Sequence, residues 1–173
     1  MKTLTLIFVL LFLTLPYSLH SQQHTQTISK VAAVRYEIAS DGKLKVTTDG
    51  GENWKNILKD NIRATYVVWN QQNPKNVAVS TRVRILISAD GGNTWTTTLV
   101  PGKNITITRL GISIEQPDML FCTGMDNATG AVSAWLSRDG GRAWIKATDT
   151  QYFLDEVQRS ASKWITDPAI NTR

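Results

Sequence analysis

The chain is poor in the residues most often recruited for chemistry. Among 173 residues there is one cysteine, Cys122, and only two histidines, His20 and His24. A single cysteine cannot close an internal bridge, so packing alone must hold the fold. Cys122 lies in the apolar run Met119-Leu120-Phe121-Cys122, where a buried structural thiol is expected. With Cys122 and His24 as the only soft ligands outside the leader, a zinc centre is not expected. Histidine general-base, Ser-His and Cys-His mechanisms lack their central group for the same reason. No cofactor motif is present, since the Gly-Gly pairs belong to turns and not to a phosphate loop. Runs of one charge are also missing. The formal net charge is +5, but no run of Lys or Arg exceeds two. That describes a mildly basic surface, not the dense stripe of a nucleic-acid binder.

Long apolar runs are missing too. The longest, Leu4 to Leu15, is about 12 residues, against about 20 needed to span a bilayer. Lys2 precedes it, Pro16 ends it, and Ser18 to Ser21 offers small residues for cleavage. Residues 1–21 therefore read as a cleaved signal peptide, with 22–29 a flexible lead-in and the protein secreted or otherwise extracytoplasmic, without a stable membrane span.

What is abundant is a repeat. The 42% apolar content and six tryptophans suit a packed core. Three octapeptides share the pattern S/T-x-D-G-G-x-x-W: 47–54 (Asp49, Gly50, Gly51, Trp54), 88–95 (Asp90, Gly91, Gly92, Trp95) and 137–144 (Asp139, Gly140, Gly141, Trp144). The aspartates stand 41 and 49 positions apart, the length of a four-stranded propeller blade. Asp-Gly-Gly is a turn between two strands. Glycine permits positive φ, the carboxylate accepts N–H bonds of its own turn, and tryptophan opens the next strand with a large buried face. Short β-branched runs separated by Pro, Asn and Gly fill the intervals, and Leu154 to Ala161 is the one helical candidate.

These boxes resemble the Asp-box, or BNR-repeat, family of sialidases, sortilin-type receptor propellers, some endoglucanases and photosystem II assembly factors. The resemblance implies an all-β fold, a propeller of about three four-stranded blades over 30–173, with the boxes as structural hairpins away from the ligand face. Before the first box, Val31 to Ile38 and Lys43 to Thr47 read as the two middle strands of a blade whose inner strand is missing or very short. After the third, Lys163 to Asp167 and Pro168 echo the inner strand and turn that open the earlier blades. Three arrangements are open: a piece of a longer protein, a homodimer whose two chains close a six-bladed ring, or an open arc docked on another protein.

Candidate ligand residues are few. Arg63, Arg109 and Arg159 recur near the starts of inner strands, where three guanidiniums would make an anion-binding mouth; ordinary surface arginines are the other reading. Asn104 and Asn127 head N-glycosylation triplets if the source is a eukaryote. No catalytic set is evident: Asp155 and Glu156 are adjacent and do not face each other, Glu115 and Asp118 flank a turn, and the sialidase Arg-Ile-Pro signature is absent. The expectation is a non-catalytic module that recognises a protein or glycan through a propeller face. The alternative is a fragment of a glycoside hydrolase, sialidase- or endoglucanase-like, with its acids on other blades.

Overall fold

The structure, a computed structural model, describes residues 34–159 and 163–165. Residues 1–21, expected to be a signal peptide, the expected lead-in 22–29 with His24, and Pro168 lie outside the described residues.

Three antiparallel sheets follow one another along the chain. The first has order β1-β2-β3, from β1 (Arg35–Ile38), β2 (Leu44–Thr47) and β3 (Lys55–Asn56). The second runs β4 (Tyr66–Trp69), β5 (Val77–Ser80), β6 (Ile85–Ser88), β7 (Thr96–Leu99) in sequence order. The third is built from β8 (Ile105–Ser113), β9 (Leu120–Asp126), β10 (Val132–Ser137) and β11 (Ile145–Lys146), followed by helix α1 (Thr150–Arg159) and a short strand, β12 (Trp164–Ile165). In each sheet the box is the turn into the outermost strand: β2 to β3, β6 to β7 and β10 to β11. The all-β expectation holds, with the sheets in blade order and one helix added.

Burial follows position. The middle sheet is covered on both faces, so Val77, Ala78, Val79 and Ser80 of β5 are all buried, whereas β7 is exposed or half-buried. One apolar cluster joins sheets one and two through Tyr36, Leu44, Val67, Trp69, Val77 and Val79. The ring of Tyr36 packs on Trp69 at 5.3 Å between centroids. A second cluster joins sheets two and three through Val68, Ala78, Ile85, Leu110, Ile112 and Trp135. Cys122 belongs to it, fully buried and unbridged, and burial pushes its thiol up to about 12.

The strand counts depart from four. Sheet one has three strands among the described residues, and sheet three has five. The fifth is the segment expected to open a further blade. Instead Trp164 and Ile165 pair antiparallel with Ser113 and Ile112 of β8, and Ile114 N donates to Lys163 O at 2.8 Å. The helix explains the return. It starts at Thr150, four residues before the expected point, just after Asp149 at the N-cap position. It lies across sheet three, with Val157 buried, and carries the chain back to β8. Phe121 anchors this layer. Its ring meets Phe153 edge-on at 5.9 Å and Trp164 at 5.0 Å. It lies over Gly111, where an added Cβ would come within 2.3 Å of the ring. Burying these aromatic faces beside β8 favours the added strand over an isolated one.

Candidate functional site

The boxes share one hydrogen-bond scheme. In the first, Thr47 Oγ1 donates to Asp49 Oδ1 at 2.7 Å and accepts from Gly51 N at 2.9 Å, while Asn53 N donates to Asp49 Oδ1 at 3.0 Å. Ser88, Asp90, Gly92 and Thr94 repeat this at 2.7, 2.8 and 2.9 Å. Ser137, Asp139, Gly141 and Ala143 repeat it at 2.8, 2.8 and 2.9 Å. Hydrogen bonds to the ionised form lower a carboxyl pKa. The Asn53 amide, then the Thr47 hydroxyl, hold Asp49 well below the usual range. The Thr94 hydroxyl, then its amide, bring Asp90 down to about 2. The Ala143 amide and the Ser137 hydroxyl lower Asp139. The invariant hydroxyl at the head of each box is the part that sequence reasoning left without a role. It bridges the carboxylate and the second glycine.

The boxes also suture neighbouring sheets. Trp95 Nε1 donates to its own Gly92 O at 3.0 Å and to Ile57 O, just past β3 of sheet one, at 2.8 Å. Trp144 Nε1 donates to Gly141 O at 2.9 Å and to Thr98 Oγ1 in β7 of sheet two at 3.2 Å. Trp54 Nε1 reaches only Gly51 O among the described residues, at 3.1 Å, and the side chain is exposed.

The three arginines stand in different settings. Arg63 lies on the loop before β4, folded against Gly42, its guanidinium donating to the carbonyls of Asp60 and Ile62. Arg109 is exposed on β8 at a bulge, opposite Thr123. Arg159 ends α1, its Nε donating to Asp155 O at 3.3 Å. Sheets two and three align through the hydroxyl pairs Thr65–Ser80 and Thr108–Thr123, each 2.9 Å apart. Arg63 precedes Thr65 by two residues and Arg109 follows Thr108 by one, so the two are not blade-equivalent. Asn104 and Asn127 are exposed at one rim: Asn127 N donates to Asn104 O at 2.9 Å, and Thr106 Oγ1 donates to Asn127 Oδ1 at 2.9 Å.

The feature with the shape of a binding site was not foreseen. Sheets one and two splay apart at the box end, leaving a wedge of about 580 Å³. Val34, Tyr36, Val46 and Ile57 form one apolar wall, with Lys55 at its rim. The register explains the wall, since Tyr36 stands opposite Val46, and Val46 opposite Lys55. The facing wall is the turn Gln72–Lys75 and the second box from Asp90 to Asn93. Tyr36 Oη ties the walls together, donating to Pro74 O at 2.6 Å. Burial, reinforced by the charge of Asp90, pushes this hydroxyl up to about 12, so it stays a donor. Asp90 Oδ1 and Oδ2 are already engaged by Ser88 and Thr94. A smaller wedge of about 380 Å³ separates sheets two and three at the equivalent place, with Asp118 and Arg142 in its lining. Each wedge is lined by a single carboxylate.

Comparison with known proteins agrees with this architecture. The chain aligns in structure with an ancestral GH74 enzyme at TM-score 0.54 and 18% identity, over 67% of this chain and 16% of that one. YCF48 bound to D1 peptide aligns at 0.46 and 17%, over 67% and 39% of the two chains. YCF48 from Cyanidioschyzon merolae aligns at 0.46 and 23%, over 74% and 38%. The chain thus spans less than two-fifths of the length of each of these structures. At such identities the GH74 likeness speaks to the propeller fold and to nothing else. No curated protein sequence matches the chain. The family model for sortilin-Vps10 domains (sortilin, neurotensin receptor 3) matches residues 42–165, from just before the first box to β12. On that match, covering most of its length, the chain belongs to the Sortilin-Vps10 family.

Proposed function

We propose that this chain is a non-catalytic, extracytoplasmic binding or assembly module that holds a segment of a partner protein against its propeller surface. The wedge between sheets one and two carries the proposal. It has the volume of a ligand site, an apolar wall set by strand register, and a rim of polar groups. Its walls are packed sheets and a hydrogen-bonded turn, so little ordering cost accompanies binding. Family membership supports the reading, the family description naming a receptor. YCF48, of similar fold, is known bound to a peptide. Export is part of the proposal and rests on Lys2 and the apolar stretch Leu4 to Leu15.

The test is photo-crosslinking in the native source, with benzoylphenylalanine placed at Gln72 or Asn93. A discrete protein adduct from either position is the expected result. Adducts made equally well from exposed positions away from the wedge, or saturable binding to a glycan array alone, would remove the protein-binding reading. N-terminal sequencing of the mature chain checks the export step, with a first residue close to position 22 expected.

A further inference from the structure

The two wedges occupy the same place in successive sheet pairs, so each serves as a control for the other. Tyr36, Val46, Lys55 and Ile57 of the first correspond to Ala78, Ile87, Thr96 and Thr98 of the second. Pro74 and Lys75 of the first correspond to Pro117 and Asp118. The second pair of sheets packs, and its box sutures, with threonine where the first has Lys55 and Ile57, and aspartate where it has Lys75. These two cations and this apolar side chain are therefore not demanded by the architecture.

Both lysines are exposed, and neither forms an ion pair among the described residues, where Lys43–Asp41 and Lys163–Glu115 are the pairs found. The one carboxylate in the same lining, Asp90, is held by its own turn. The first wedge thus offers two uncommitted positive charges, one on each rim, above a floor of Val34, Tyr36, Val46 and Ile57.

We infer that the first wedge takes an extended segment of a partner protein that presents an apolar side chain flanked by carboxylates. This rests on the binding-module reading above. The apolar side chain fills the floor, where burying a leucine-sized group is the main gain. The flanking carboxylates pair with Lys55 and Lys75 at the rims, which sets direction and encounter rate more than raw affinity. A neutral sugar would use the amides of the rim but leave the apolar floor and both charges unanswered.

The experiment probes the purified chain against an array of ten-residue peptides, each with a central Leu, Ile or Phe flanked by Asp/Glu, Ser or Lys. The acid-flanked set should bind best, weakening as salt is raised. In the double variant Lys55→Glu/Lys75→Glu, affinity for that set should drop roughly tenfold or more, with the lysine-flanked set now preferred. The control Thr96→Glu, in the second wedge, should leave the preference unchanged. All three proteins should share one denaturation midpoint, because the altered side chains are exposed. Acid-flanked binding indifferent to the lysines would overturn the wedge assignment while leaving the binding-module reading intact. No peptide binding of any kind would end both. A peptide copied from residues 22–33 of this chain emerging as the strongest binder would also overturn the partner assignment, giving the wedge to the chain itself.

Discussion

The two junctions between sheets are built to one plan and finished differently. At both, a box tryptophan reaches back to the preceding sheet, and the second glycine of the box lets an isoleucine of that sheet approach closely: Ile57 at Gly92, Ile87 at Gly141. At the first junction the space beyond the suture is a wide wedge with an apolar wall and two lysines. At the second it is narrower and rimmed by threonines. Suture and wedge are thus separable: one is fold, the other is free to specialise. The first box supplies the baseline. Its internal hydrogen bonds match the others, but Trp54 reaches no neighbouring sheet among the described residues and Gly51 is approached by Arg35 of its own sheet.

Breaking the sutures should have the largest effect. Trp95→Ala and Trp144→Ala each remove a half-buried indole and its inter-sheet hydrogen bond, and should cost about 2–3 kcal/mol, below the range for fully buried tryptophan. Trp54→Ala, at an exposed side chain, should cost under about 1 kcal/mol. Urea denaturation of the three variants decides this, and equal losses would mean that the sutures add nothing beyond the turn.

The glycines separate backbone strain from close approach. Gly50 has φ +80° with nothing within 4 Å of an added Cβ, so Gly50→Ala should cost about 1 kcal/mol from strain alone. Gly141 has φ +88°, and its Cβ would sit 2.8 Å from Ile87 Cγ2; Gly141→Ala should cost about 2–3 kcal/mol, strain and overpacking together. If the two variants denature alike, the isoleucine contact is slack. A smaller change tests the finish of the first junction. Ile57→Thr copies Thr98 of the second junction, keeps the backbone acceptor of Trp95, and should cost only about 1 kcal/mol. A loss as large as that of Trp95→Ala would show that the apolar wall belongs to the fold after all.

These differences mark how far the sequence could be read. The sheets were legible because each box encodes its own turn: glycines for positive φ, aspartate to collect N–H groups, tryptophan to open a strand. The wedge was not, because it depends on which side chains of β1, β2 and β3 share a face and on what the next sheet sets opposite them. Val46 and Lys55 are nine positions apart and become neighbours only through the register of β2 and β3. The places of the arginines were hidden likewise: set against the hydroxyl pairs Thr65–Ser80 and Thr108–Thr123, Arg63 lies two residues before its threonine and Arg109 one after. The route of β12 was hidden too. Trp164 and the residues after it do resemble an opening strand, but whether they start a sheet or join one is decided by Phe121, Phe153 and the space above Gly111.

The smallest effect, and the finest comparison of the junctions, is the pH dependence of the box aspartates. Both Asp90 and Asp139 have folded-state pKa values below the ordinary carboxylate value, which is about 4 in an unfolded chain. A lowered pKa means that protons bind the unfolded state more readily, so the stabilisation is complete above about pH 4 and fades as pH falls through the folded value. For Asp90 that window runs down to about 2. Its carboxylate has a donor that Asp139 lacks, the Thr94 hydroxyl on Oδ2 at 2.6 Å, whereas position 143 is alanine. Between pH 5 and 2 the denaturation midpoint of the native protein should therefore fall. Asp90→Asn should flatten that slope more than Asp139→Asn, and Thr94→Ala should bring the two junctions closer together. A slope untouched by Asp90→Asn would mean that the acid sensitivity arises outside the second box, and that its carboxylate acts as an acceptor whose charge the fold does not use.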